Sequence, residues 1–227
     1  MSQQAPSIPR PVLHEQVAAR LRQMLVEGDI APGAKLNERA LCEALRISRT
    51  PLREAIKMLA AEGLVELLPN RGSVAVQLDE EDVRHTFEVM AGLEALSGQL
   101  AAERIGAAEV AEIEAMHFEM LAAYTRRDLS TYYRLNAAIH RAINVAAGNP
   151  VLTSTYNPVN ARLQALRFRS NQDGEKWQRA VAEHEAMVAA LKARDGAALA
   201  RVLTQHLHHK RDVVIEQMRA AQNASPT

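Results

Sequence analysis

The stretch Ile47-Ser48-Arg49-Thr50-Pro51-Leu52-Arg53-Glu54-Ala55 decides how the first third of this chain is read. Ser48 or Thr50 can accept from the exposed N–H groups of a helix start, and Pro51 is tolerated in a first turn. Arg49, Arg53 and Lys57 follow at four-residue spacing and share a face, while Leu52, Ile56 and Leu59 occupy another. A basic stripe beginning at a helix N-terminus suits the phosphates and base edges of a DNA major groove. Alone, the stripe equally fits the solvated face of an ordinary amphipathic helix, so its neighbours decide.

Upstream, Leu13, Val17, Leu21, Met24 and Leu25 set a helical period that Gly28-Asp29 and Pro32-Gly33 break. Asn37 is a good N-cap for a short helix over Glu38–Leu45, and a tight turn at Arg46-Ile47 leads into the basic helix. Two short helices joined by a brief turn, the second basic, define a helix-turn-helix. Downstream, residues 64–68 and 73–77 alternate as two β-strands around the turn Pro69-Asn70-Arg71-Gly72. That hairpin is a wing whose Arg71 can enter a minor groove or meet a phosphate. Residues 12–78 therefore read as a winged helix-turn-helix domain, preceded by a proline-bearing arm over residues 1–11.

Residues 12–77 resemble the DNA-binding domain of GntR-type transcriptional regulators. The likeness is carried by the run from Gly28 to Glu38, by Ser48 to Ala55, by Glu62-Gly63-Leu64-Val65 and by Asn70-Arg71-Gly72. It implies that Arg39, Arg49 and Arg53 contact the operator, with Ser48 and Thr50 on phosphates and Arg71 and Gly72 in the wing. Arg46 departs from the pattern, standing where a turn glycine is common.

The 227 residues suffice for two domains, and the formal net charge of zero is spread unevenly. Residues 1–78 carry ten basic against eight acidic side chains and the remainder seventeen against nineteen, so DNA affinity must come from a local patch. One cysteine, Cys42, excludes an internal disulfide framework and fits a small buried residue in a reducing compartment. With no signal-like or bilayer-spanning stretch, the expected location is the cytoplasm.

After the acidic run at residues 79–82, long Ala- and Leu-rich helices are expected near 80–104, 107–127, 129–147, 150–170, 175–194 and 196–221. Residues 79–227 thus read as an all-α bundle, and the whole chain as mainly α. Asn136 and His140 lie one turn apart on one predicted helix, His184 follows Glu183 on another, and His206 sits on the last. Imidazoles that converge suit Zn, Ni, Cu or Fe. Spacing alone leaves open whether they converge or are satisfied separately. A zinc hydrolase is disfavoured, because no His-Glu-x-x-His stretch occurs.

Residues 82–221 are similar to the FCD effector domain of the FadR subgroup of GntR regulators. The marks are Leu93-Glu94, Asn136-x3-His140 followed by Ala146-Ala147-Gly148-Asn149-Pro150, Glu183-His184 and His206-Leu207. The resemblance implies that Asn136, His140, His184 and His206 hold a divalent metal, zinc first, with nickel or another late ion as alternatives. His208 and His209 lie off the motif and are expected on the surface. Met90 stands where many acid-sensing members carry arginine, and Asn136 replaces a possible carboxylate ligand. On this reading the donor set is neutral, so a small carboxylate effector is expected to complete the coordination, with Arg134 and Arg162 assisting. The expected protein is a homodimeric, ligand-responsive repressor of a pseudo-palindromic operator and not an enzyme. The alternative is a winged helix whose helical domain only dimerises.

Overall fold

The structure, a computed structural model, describes residues 13–169 and 174–224. The proposed N-terminal arm and most of the expected break at 171–174 lie outside them. The chain divides into two compact units, one ending at Gln77 and one beginning at Leu78. Leu78 falls with the second unit because it packs against that unit's core.

The first unit contains α1 (Leu13–Glu27), α2 (Glu38–Leu45), α3 (Arg49–Ala61), β1 (Val65–Leu68) and β2 (Gly72–Ala75). Helix α1 buries Val17, Ala18, Leu21 and Leu25. Asn37 caps α2, its side chain accepting from Ala40 N at 3.2 Å. Arg46 ends α2 in the left-handed region at φ 54, the conformation that makes glycine common at such a turn. Helix α3 turns Leu52, Ala55, Ile56 and Leu59 into the core. Arg22 donates twice to the Glu62 carboxylate, at 2.9 and 2.6 Å, tying α1 to the end of α3. The strands pair antiparallel, Val65 opposite Ala75 through Leu68 opposite Gly72. Strand β2 begins one residue earlier than expected because Gly72, at φ 88, opens the pairing directly after the turn.

Among its described residues the second unit is helical throughout: α4 (Glu80–Arg104), α5 (Ala107–Thr125), α6 (Leu129–Ala146), α7 (Pro150–Arg169), α8 (Gly174–Lys192) and α9 (Gly196–Ala224). The acidic run starts α4 as a capping box, Asp79 accepting from Asp82 N at 2.8 Å and Asp82 from Asp79 N at 3.3 Å. Helices α5 and α8 end two residues before the expected positions. Arg127 and Arg194 adopt φ 58 and 54, which no right-handed helix accommodates.

Helix α4 packs on α9 more extensively than any other pair of elements. Gly98 permits the approach: a Cβ there would sit 2.7 Å from Leu203 Cδ1 and 3.0 Å from Leu199 Cγ. One apolar cluster joins Ile113, Met120, Ile139, Ile143, Met187 and Leu203, and a second joins Phe87, Met90, Tyr156, Leu163 and Leu207. Trp177, 5% exposed, meets the rings of Tyr124 and Tyr132 edge-on at 5.0 Å each. The Arg127 guanidinium lies 5.6 Å from the Trp177 ring centroid.

Candidate functional sites: a basic helix face and a buried histidine cluster

In the first unit, Arg49, Thr50, Arg53 and Lys57 from α3 line one cleft with Glu38 of α2 and Gly72 of the wing. The helix-turn-helix and the hairpin therefore bring most of the expected DNA-contacting residues to one surface. Ser48 occupies the N-cap position of α3, but its hydroxyl makes no capping hydrogen bond, contrary to the simplest reading of the motif. Arg71 is exposed beside Gly72 in the wing. Arg39 is exposed and ion-pairs with Glu43 at 3.1 Å on its own helix. Arg53 donates Nε to Glu38 Oε2 at 2.9 Å, and Lys57 pairs with Glu54. All these pairs are solvated, so a phosphate or a base edge can compete for the cations at little cost.

In the second unit, His140 of α6, His184 of α8 and His206 of α9 converge. Their rings form a near-equilateral triangle, with centroids 5.1, 5.2 and 5.1 Å apart. One nitrogen from each falls within 4.8 Å of the others. The three are 3, 0 and 2% exposed, and Asn136, one turn before His140, is 4% exposed. Asn136 Oδ1 and both ring nitrogens of His140 and of His184 are buried with no hydrogen-bond partner among the described residues. Burial, reinforced by repulsion from His140 and His206, holds the His184 imidazole well below its usual pKa, so its lone pair is available at neutral pH. Buried imidazole and amide acceptors without partners normally cost free energy, and a cation is what such a donor set accommodates. The residues present fit a divalent ion.

Two carboxylates stand directly behind the cluster. Glu94 of α4, 2% exposed, places Oε2 2.8 Å from His140 Nδ1, while Tyr156 OH donates to its Oε1 at 3.4 Å. Glu183 places Oε2 2.7 Å from His206 Nδ1 and Oε1 in contact with His209 Nδ1. This corrects the expectation that the protein leaves an ion's charge uncompensated: the donors are neutral, but two carboxylates lie one residue further out. It also corrects His209, which is engaged by Glu183 instead of standing alone on the surface. His208 is exposed, as expected.

Neither arginine suggested for the effector is brought to the histidines. Arg134 is exposed, two residues from Asn136 and on the other side of α6, where it lines a groove with Glu109, Glu112 and Arg141. Arg162 is exposed on α7. Other buried polar groups of the helical unit are Ser97, which accepts from Asn144 Nδ2 at 2.9 Å, and Asn160 and Lys210, 8 and 6% exposed. Met90 is fully buried among Phe87, Tyr156 and Leu207, so the place of an arginine is filled with apolar packing.

A winged helix joined to a helical domain that encloses a polar site defines a ligand-responsive type of DNA-binding regulator. Residues 13–74 match the gntR family of bacterial regulatory proteins and residues 85–209 match the FCD domain. The chain belongs to the GntR transcriptional regulators that carry an FCD domain, and these are regulators, not enzymes. It is 27% identical over 199 residues to the HTH-type transcriptional repressor RspR of Escherichia coli (strain K12), covering 88% of this chain and 87% of that protein. It is 25% identical over 200 residues to the gluconate operon transcriptional repressor of Bacillus licheniformis, covering 84% and 80%. Among solved structures, E. coli McbR/YncC shares the fold with a TM-score of 0.83 at 21% identity, over 92% of this chain and 100% of that one. Among the described residues no helix is long and apolar enough to cross a membrane.

Proposed function

We propose that this regulator is a homodimeric repressor released from a pseudo-palindromic operator by a small carboxylate metabolite. The effector binds at a divalent ion held by Asn136, His140, His184 and His206. The observation that carries the reading is the convergence of three buried imidazoles beside the unpartnered Asn136 Oδ1. Neutral nitrogen and amide donors suit zinc, with nickel or another late divalent ion as alternatives. When bound, the ion supplies a Lewis-acidic seat for an oxygen of the effector. Glu183 orients His206, Glu94 lies against His140, and both carboxylates offset the ion's charge. Repression is supported by the relatives named as repressors, and a carboxylate by the relative named for the gluconate operon.

In the first unit, Arg39, Arg49 and Arg53 contact the operator, the latter two at base edges, Ser48 and Thr50 grip phosphates, and Arg71 with Gly72 brings the wing to the minor groove or a phosphate. Residues 78–82 and α4 carry the effector signal between the units.

Elemental analysis of untagged protein purified without chelator tests the metal reading. Near one divalent ion per chain is expected, lost in His140→Ala while DNA binding by the folded protein persists. Protein that takes up neither zinc nor nickel after incubation and desalting would make the histidines structural and leave the helical domain as a dimerisation module.

A further inference from the structure

Glu183 is engaged through both of its carboxylate oxygens. Oε2 lies 2.7 Å from Nδ1 of His206, and Oε1 contacts Nδ1 of His209. The three side chains are 2, 15 and 43% exposed for His206, Glu183 and His209. They form a row that runs from the buried cluster to the surface. His206 and His209 are three residues apart on α9 and so present the same face to α8.

The terminal torsion of a glutamate is soft, so one hydrogen bond leaves the carboxylate plane poorly defined. A second donor on the other oxygen fixes it. At the neighbouring imidazole Glu94 Oε2 also lies 2.8 Å from Nδ1 of His140 and its Oε1 accepts from Tyr156 OH, but Oε2 and Nδ1 do not meet in hydrogen-bonding geometry. His184 has no such backing: neither of its ring nitrogens has a hydrogen-bond partner among the described residues.

We propose that His209 is a positioning residue of the metal site. By donating Nδ1–H to Glu183 Oε1, it locks the carboxylate so that Oε2 accepts from Nδ1–H of His206. That fixes the tautomer of His206 and presents its Nε2 lone pair to the ion. Outer partners of this kind set ligand orientation and basicity. The inference rests on the metal reading proposed above and adds to it a half-exposed residue outside the four-residue ligand motif.

The test is the Zn2+ affinity of the full-length protein, measured by competition with a chromophoric chelator. The visible spectrum of Co2+-loaded protein serves as a second readout. Wild type is compared with His209→Ala, His209→Asn and His209→Gln. Asparagine places Nδ2 where histidine places Nδ1, whereas the glutamine amide lies one bond further out. His209→Ala is expected to weaken Zn2+ binding roughly 10-fold, at the lower end of outer-partner effects, and to shift the Co2+ bands. His209→Asn restores both readouts and His209→Gln does not, with the melting temperature of metal-free protein unchanged throughout. Equal Zn2+ affinity in all four proteins overturns the role of His209 and leaves the metal reading intact. A loss that asparagine fails to rescue, accompanied by a lower melting temperature, makes His209 a packing residue and also overturns it. Wild type that binds neither ion removes the metal reading and this inference together.

Discussion

Arg53 shows how a single residue carries recognition in this chain. Its guanidinium is exposed on α3 and gives Nε to Glu38 Oε2, a bond that does not use the two terminal nitrogens. That fork matches the paired acceptors of a guanine edge. Replacing Arg53 with alanine should cost about 1–3 kcal/mol of specific binding while affecting random duplex much less. Fluorescence anisotropy with an operator selected from random duplexes, and with a scrambled control, measures the difference. Equal losses on both duplexes would make Arg53 a phosphate contact. The spacing of Arg49, Arg53 and Lys57 was readable in the sequence, because a helix period places them on one face. The partner of Arg53 was not, because Glu38 lies fifteen residues away on another helix.

The elements themselves were largely legible: apolar periodicity and the breaks at Gly106, Asp128, Gly148 and Gly196 set α4 to α9 to within a few residues. Less legible was what an inward polar residue of a long helix meets. Glu94 and Ser97 face the interior from α4, continuing the period of Val83, Phe87 and Met90, whereas Glu81 and Glu88 lie on its solvated side; periodicity gives the face but not the partners met there. Those partners come from the packing of α4 against α6, α7 and α9. The seam between α4 and α9 yields a direct test, since Gly98 has no room for a side chain beside Leu203 and Leu199. Gly98→Val should destabilise the second unit by about 1–3 kcal/mol, the usual cost of overpacking, visible as a lower thermal midpoint. At the first turn of α4, Glu80 accepts from Arg219 and, to a lesser effect, from Arg84, which hold its carboxyl down at about 2 instead of the usual 4.5. A depressed carboxylate contributes stability above the unfolded-state value and loses it as pH falls through the folded one. Glu80→Gln should therefore flatten the stability profile between about pH 4.5 and pH 2 and leave slopes at higher pH unchanged. Denaturant melts across that range decide it.

At the scale of the whole molecule, the proposed effector can act only by favouring the arrangement of the DNA-binding units that suits the operator less. A carboxylate that releases DNA should lower operator affinity by about 5–150-fold in metal-loaded protein, the usual range of coupling between sites. Gluconate is a reasonable first probe, with a neutral sugar as control. Carboxylates that act equally well after chelation of the metal would dissociate the effector from the histidine cluster. The aromatic residues bear on how such experiments are read. Every Phe, Tyr and Trp of the chain lies beyond residue 78, and the sole tryptophan is the one wedged between Tyr124 and Tyr132. Emission excited at the red edge, and ellipticity in the near ultraviolet, therefore arise from the helical domain alone. Far-ultraviolet ellipticity sums both domains, so comparing the two signals in a single melt gives each domain its own unfolding curve without a label.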